Sequence, residues 1–158
     1  MAPNSGSRSV SRWALIVVAA AGLAIDAYVH FDLASAYAGV KSSTLSQGDL
    51  FRVEGSAAAV AAAALLLRPR RYTAAFAFLV AAAGTAAVLV YRYVDVGAFG
   101  PFPDMYEPLW YGKKTLSVIA EGVGALAALA LFAMLQFEAR AVTRAPARRG
   151  GNAVGMLG

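Results

Sequence analysis

Residues 55–94 decide the fold of this chain, and they read GSAAAVAAAALLLRPRRYTAAFAFLVAAAGTAAVLVYRYV. Within this stretch, only the short basic link Arg68-Pro69-Arg70-Arg71 separates two long apolar runs. A helix rises about 1.5 Å per residue, so roughly 20 apolar residues cross a hydrocarbon core about 30 Å thick. The link leaves room for a turn and nothing more. We therefore expect two antiparallel membrane-spanning helices that are neighbours along the chain.

Two further apolar runs lie outside this hairpin. The chain of 158 residues is 59% hydrophobic and 15% charged, with a mean hydropathy of +0.59, whereas a soluble domain carries about 25% charged residues. In lipid every backbone polar group must be paired within its own segment, which favours helices. The sequence predicts an all-α, integral membrane, four-helix antiparallel bundle over residues 12–138, with helices at about 13–37, 50–67, 72–94 and 115–137.

The segments beyond the predicted helices are polar, small or rich in proline. Residues 1–11 are expected to be a disordered N-terminus, and residues 139–158 a basic unstructured tail. The outer loop, 95–114, has three prolines among five aromatic residues, which is typical of a segment in a membrane interface. Asp49 is expected to cap the second helix.

The basic residues predict the orientation of the bundle. Nine of the 14 lie beside the ends that carry the two termini and the short link, together with one acid, Glu138. The opposite ends and the outer halves of the helices hold five basic residues against eight acids. Because short cytoplasmic segments are enriched in Lys and Arg, we expect a plasma-membrane protein with both termini in the cytoplasm and its helices against the lipid bilayer.

The first apolar run has an alternative interpretation as a cleaved signal peptide. Arg8 and Arg12 precede about a dozen apolar residues, and small residues occupy 19–22, as in such a peptide. Cleavage would leave three spanning helices in the same orientation. The apolar residues continue through 33, beyond a cut of that kind, and this favours a spanning first helix.

Composition excludes several classes of function. The sequence contains no cysteine, which excludes disulfide exchange, thiolate metal sites, iron–sulfur clusters and a cysteine nucleophile. A net charge of +5 and a pI near 9.8 would suit nucleic acid. However, the basic residues flank apolar runs and form no stripe interleaved with aromatic residues. We therefore predict no nucleic-acid partner.

Alanine and glycine are concentrated along the predicted helices, above all in residues 57–64 and 81–87. Small residues let helix backbones approach closely where lipid already matches leucine in apolarity. These faces predict tight packing within the bundle, with a homo-oligomer contact as the alternative.

Ionisable residues inside the apolar runs form the candidate site. By helical rise, residues from four helices reach a similar depth in the outer third of the bilayer. A buried acid costs about 2.5–3.5 kcal/mol on insertion scales, so such residues normally face the bundle and find partners. The predicted cluster consists of Asp26, His30, Glu54, Arg92 and Glu121.

The chemistry of this cluster has more than one interpretation. Asp26 and His30 lie four residues apart on one helix face, which suits a structural pair, proton transfer or metal ligation. The two glutamates would serve a divalent ion or a proton relay, or would be neutralised in a structural network by Arg92 and Arg52. The sequence contains no Glu-x-x-His pair, so a di-iron site is not expected. No metal is assigned and no cofactor is predicted, while a quinone stays open.

The outer loop holds a second set of candidate residues. Two acids and three aromatic residues are crowded around Pro108. Such a segment suits a lid over the charged cluster, a contact with a partner subunit, or an interfacial anchor. The candidate lid or partner residues are Asp104, Tyr106, Glu107, Trp110 and Tyr111.

Four stretches carry a resemblance to known proteins: Asp26-Ala-Tyr-Val-His30, Phe51-Arg-Val-Glu54-Gly55, Tyr91-Arg-Tyr-Val-Asp95 and Met105-Tyr-Glu-Pro-Leu-Trp110-Tyr111. Over about residues 13–138 the chain resembles small, uncharacterised four-helix integral membrane proteins of high-GC Gram-positive bacteria. It is also similar in size and helix count to DoxX-like proteins, some of which are linked to quinol oxidation or redox assemblies. These resemblances imply an architecture and no particular activity.

Three hypotheses for the function remain. The first is a non-catalytic accessory or assembly subunit of a larger membrane complex, whose buried charges fix the bundle. The second is a proton-coupled or metal-handling protein that uses the carboxylate and histidine cluster. The third is a quinone-linked redox subunit with its site near Trp110 and Tyr111. The sequence does not decide whether the protein is an enzyme, and it favours a non-enzymatic role.

Overall fold

The computed structural model describes residues 5–144, and it is all-helical, as predicted. The four helices are α1 (Ser5–Ala34), α2 (Gln47–Leu67), α3 (Arg71–Tyr93) and α4 (Gly112–Arg144). Between them the described chain forms only turns and two isolated β-bridges, Lys41 with Ser46 and Phe99 with Phe102.

The helices run up and down as an antiparallel bundle. α1 packs against α2 and α4, and α3 packs on α4, whereas α2 and α3 contact each other much less. At one end the Arg12 guanidinium donates to the Pro69 carbonyl (3.0 Å). At the other, the Tyr37 and Tyr111 hydroxyls are hydrogen-bonded (2.9 Å). We call the first the arginine end (Arg12, Arg68, Arg70, Arg71 and Arg140) and the second the loop end (segments 35–46 and 94–111).

All four helices are long and apolar enough to cross a membrane. Large apolar side chains such as Leu67, Leu79 and Leu126 point outwards, and the buried centre is mostly alanine, with a few larger residues such as Leu23 and Leu65. A water-soluble bundle would bury most of its large side chains instead. Mainly small residues inside and many large ones outside are the arrangement expected of helices that meet in lipid.

A close crossing of α1 and α4 positions the candidate site. A Cβ added to Gly22 would lie 2.5 Å from the Ala120 carbonyl oxygen and 3.1 Å from the Gly124 Cα. Because real Cβ atoms do not approach a backbone oxygen so closely, only glycine allows this crossing. One turn further towards the loop end, the crossing brings Asp26 of α1 next to Glu121 of α4.

The N-cap of α2 is Ser46, three residues before the predicted Asp49. The Ser46 hydroxyl accepts a hydrogen bond from the Asp49 amide (3.0 Å), and the Asp49 carboxylate accepts one from the Ser46 amide (3.1 Å). This reciprocal pair is a capping box, in which Asp49 occupies the third helical position. Asp49, which was predicted to be the cap, is therefore the partner of the Ser46 cap.

The bounds of α1 and α4 also differ from the predicted ones. Residues 5–11, expected to be disordered, form the start of α1, and α1 stops at Ala34 where turns lead to the Ser46 cap. α4 begins at Gly112 inside the predicted outer loop and runs to Arg144, past the predicted bound at 138. The predicted tail from 145 onwards and residues 1–4 lie outside the described residues.

Candidate functional site

Asp26, His30 and Glu121 meet inside the bundle, in the half towards the loop end. The side chains of Asp26 and Glu121 are fully buried (0% exposed), and His30 is 8% exposed. A ligand-capable atom from each of the three residues lies within 4.8 Å of those of the other two. Three of the five residues of the predicted cluster therefore lie together, where α1 meets α4.

The imidazole of His30 is oriented by Asp26, one helical turn before it. The His30 Nδ1 lies 2.7 Å from the Asp26 Oδ1 and 3.1 Å from the Asp26 carbonyl oxygen. Because a carbonyl oxygen only accepts, this geometry assigns the proton to Nδ1.

Ser117 bridges the two buried acids. Its hydroxyl oxygen lies 3.0 Å from the Asp26 Oδ1 and 2.9 Å from the Glu121 Oε1. A hydroxyl has a single hydrogen, so it satisfies both acids only when one of them also carries a proton. This role could not be predicted from the sequence, because a small residue on an apolar helix is usually a packing position.

Charge compensation around these acids is incomplete. The Asp26 Oδ2 and the Glu121 Oε2 are buried without a hydrogen-bond partner. Among the side chains that the structure describes, the ion pairs of lysines and arginines are Arg52 with Asp49 (2.9 Å) and Lys113 with Asp32. Neither pair reaches the buried cluster.

The predicted role of Arg92 in this cluster is not seen in the described structure. Its guanidinium lies over the rings of Tyr93 (5.0 Å) and Trp110 (5.6 Å), at the loop end of α3. Its Nε is buried and makes no hydrogen bond to any described residue. Helical rise placed Arg92 at the correct end of the bundle, but its side chain turns to aromatic rings.

Glu54 lies at the edge of the cluster. Its side chain is half-buried, and its Oε1 has no hydrogen-bond partner among the described residues. The neighbouring Gly55 packs closely on α1, since a Cβ there would lie 3.2 Å from the Ala27 carbonyl oxygen and 3.3 Å from the His30 Cβ. This contact brings α2, with Glu54, beside His30.

On α3, the absence of a side chain at Gly84 leaves room for the Glu121 carboxyl group. A Cβ added to Gly84 would lie 2.9 Å from both the Cδ and the Oε1 of Glu121. The buried carboxyl thus occupies the place of a missing side chain. Only the single glycine in an alanine-rich run hinted at this position in the sequence.

A pocket of about 400 Å³ lies between the cluster and the loop end. All four helices and the segment 94–111 line it, mostly with apolar and aromatic side chains. His30, Glu54 and Ser117 contribute polar groups to its wall. An apolar pocket with a few converging polar groups is the usual form of a small-molecule site.

The candidate loop residues divide into two groups. Glu107 and Tyr111 line the pocket, and Asp104, Tyr106 and Trp110 are exposed. The Glu107 amide donates to the Tyr91 carbonyl (3.0 Å), and the buried Lys114 ammonium, which sequence reasoning missed, donates to the Glu107 carbonyl. These contacts connect the loop to α3 and α4 beside the pocket.

Tyr111 closes the pocket through its hydrogen bond with Tyr37, which lies in the segment 35–46 after α1. Burial raises the pKa of its hydroxyl well above the usual value of 10.0, and the hydrogen bond with Tyr37 adds to this effect. The hydroxyl therefore stays protonated at all physiological pH values.

No known protein family, curated protein or solved structure matches this chain. The resemblances to small four-helix membrane proteins and to DoxX-like proteins thus stay predictions. Any argument about function has to come from the site itself.

Proposed function

We propose that this chain is a multi-pass plasma-membrane protein that binds a divalent metal ion through Asp26, His30 and Glu121. The arginine end would face the cytoplasm, because nine of the 14 basic residues lie at that end or in the segments that continue it. The loop end and its pocket would then face the other side. The ion would reach the cluster from there.

One observation carries the proposal: two fully buried carboxyl groups lie with a histidine so that their ligand atoms are within 4.8 Å of one another, and none of the described lysine and arginine side chains is ion-paired with them. An acid at the centre of a membrane helix costs about 2.5–3.5 kcal/mol even on insertion scales. Buried charges persist when they are paired or when they coordinate a metal. A divalent ion that displaced the proton required by the Ser117 bridge would supply two positive charges for the two carboxylates.

The ligand set narrows the choice of metal. One imidazole nitrogen with two carboxylates suits Zn²⁺, Mn²⁺ or Fe²⁺ better than Mg²⁺ or Ca²⁺, which prefer oxygen alone. The free Asp26 Oδ2 and Glu121 Oε2 supply ligand atoms that no other described residue uses. Glu54, at the edge of the cluster, is the nearest candidate for a further ligand.

Metal content tests this proposal directly. The protein, purified in mild detergent, would be incubated with Zn²⁺, Mn²⁺ or Fe²⁺ and desalted. Its metal content would then be measured by inductively coupled plasma mass spectrometry. We expect about one ion per chain, and its loss in Asp26→Asn and Glu121→Gln. The matched control is Asp32→Asn, the same change on α1 at an acid that pairs with Lys113 outside the cluster.

Two results would overturn it. A wild-type protein that stays metal-free after this treatment has no such site. Equal metal in Asp26→Asn and Asp32→Asn, with both variants folded by thermal unfolding, would place the ion elsewhere.

A second candidate, the accessory or assembly subunit, rests on a different observation. Tyr106, Leu109 and Trp110 expose large apolar side chains at the loop end, on the segment that covers the pocket. Exposed apolar groups on an ordered loop suit a partner subunit. Mild-detergent affinity purification with mass spectrometry tests this role: a constant large partner, lost in Trp110→Ala, would support it.

A further inference from the structure

The pocket at the loop end opens sideways between α2 and α3. Val53 of α2 lines the pocket, yet it is 67% exposed on the outside of the bundle. Ala83 and Ala87 of α3 also line the pocket and are exposed. Because α2 and α3 pack little against each other, a gap joins the pocket to the surface that lipid covers in the proposed membrane placement.

The walls of the pocket suit a flat ring. Phe51, Tyr91, Phe99 and Phe102 contribute aromatic side chains, and the remaining lining is mainly aliphatic. Aromatic rings pack well on other rings, in stacked or edge-on arrangements. A volume of about 400 Å³ holds one ring and the first part of a chain, but not a phospholipid head group with two chains.

Several of the polar groups in the pocket already have partners. The Tyr37 and Tyr111 hydroxyls bond to each other, and the Lys114 ammonium bonds to the Glu107 carbonyl. By contrast, the Glu54 Oε1 is buried and has no hydrogen-bond partner among the described residues. A carboxylate oxygen accepts hydrogen bonds and does not donate them.

An acceptor without a partner requires a donor. We infer that the pocket binds a membrane-soluble molecule with a hydroxylated ring and an apolar tail, the hydroxyl donating to Glu54 and the tail leaving between α2 and α3. The inference uses the proposed membrane placement, and it does not use the metal ion.

A pair of simple probes tests this inference. The full-length protein in lipid nanodiscs would be heated with 4-decylphenol or with decylbenzene, which lacks only the hydroxyl. At ten times the Kd we expect 4-decylphenol to raise the Tm by about 3 °C. Decylbenzene should raise it clearly less.

Matched variants locate the binding. Ala87→Phe places a ring in the opening, whereas Ala86→Phe places the same ring on an exposed position of α3 that does not line the pocket. The effect of 4-decylphenol should vanish in Ala87→Phe and persist in Ala86→Phe. Glu54→Leu should reduce the difference between the two probes.

Three outcomes would overturn the inference. Equal Tm shifts in Ala87→Phe and Ala86→Phe would mean that the probe acts through the bilayer. Equal shifts by both probes would mean that any apolar chain, including a lipid acyl chain, fills the pocket. No shift at all would mean that the pocket does not take this class of molecule. Metal binding by Ala87→Phe would be measured separately. A failure of the inferred ring binding can then be distinguished from a failure of the proposed metal site.

Discussion

Gly84 of α3 lies so close to Glu121 of α4 that a Cβ at position 84 would fall 2.9 Å from the carboxyl carbon of the glutamate. The carboxyl group of Glu121 therefore occupies the space that a side chain at position 84 would fill. A third helix, which contributes no charged group to the cluster, thus fixes where the acid sits.

Gly84→Ala should destabilise the bundle, because the new methyl group must displace a buried carboxyl that is held by Ser117. Overpacking of this kind costs about 1–3 kcal/mol. The measurement is thermal unfolding in detergent. Adding Glu121→Ala to Gly84→Ala removes the clash, so the two changes should be strongly non-additive.

The control for this prediction is Gly122→Ala on α4, where a Cβ meets nothing within 4 Å. Alanine in place of glycine inside a helix stabilises by about 0.5–1 kcal/mol when space allows. If Gly84→Ala behaved like Gly122→Ala, the packing of Glu121 against α3 would be wrong.

Ser117→Ala should also destabilise the protein, because it removes the hydroxyl between two buried acids. Leaving a buried polar group unsatisfied costs about 1–3 kcal/mol. Thermal unfolding of Ser117→Ala and Ser56→Ala gives a matched comparison. The Ser56 hydroxyl is exposed and donates to its own helix, so its loss should change stability by less than about 0.5 kcal/mol. Similar values for both variants would argue against a bridge at Ser117.

The two ends of the bundle should be reached from opposite sides of the membrane. The sequence has no cysteine, so Arg70→Cys and Asp104→Cys each introduce a single thiol at an exposed position. In intact cells we expect a membrane-impermeant maleimide to label Asp104→Cys alone, and Arg70→Cys only after permeabilisation. Labelling of both variants in intact cells would contradict the proposed orientation and the route of the metal ion.

Alkaline pH should weaken the closure of the pocket through Tyr111. The pKa of its hydroxyl is raised in the folded protein, so the stability it contributes is complete below the unfolded pKa of about 10 and is lost as the pH rises above that value. Wild-type Tm should therefore fall above pH 10. Tyr111→Phe, which has no proton to lose, should start lower and fall less steeply.

The control for the pH profile is Tyr106→Phe, which removes an exposed hydroxyl from the same loop. Its Tm should follow the wild-type curve from pH 8 upwards. A Tyr111→Phe curve parallel to that of the wild type would assign the alkaline loss to other groups.

The sequence was enough to predict four helices, their antiparallel order and the approximate level of the buried acids. Helical rise gives depth, and depth brought Asp26, His30 and Glu121 to one level. Rotation about each helix axis is set by packing contacts such as that of Gly22 with Ala120, which connect residues far apart in the chain. Depth alone therefore could not show that Arg92 turns away from the acids.

The roles of Ser117 and Gly84 could not be predicted for the same reason. Both are small residues on apolar helices, and small residues in lipid are usually packing positions. Their functions appear only when an acid from another helix, or another turn, is placed against them. The pocket could not be predicted either, because it lies where α2 and α3 pack loosely, and no sequence pattern marks a loose contact.

Asp26 belongs to α1, which is synthesised before α4, the helix of Ser117 and Glu121. In the proposed membrane placement, the aspartate of a growing chain therefore enters lipid long before its hydrogen-bonding serine leaves the ribosome. Until then, His30 is its one described polar neighbour on the same helix. Truncation after Tyr93 should yield a product that cellular quality control degrades, since α4 completes the environment that α1 needs.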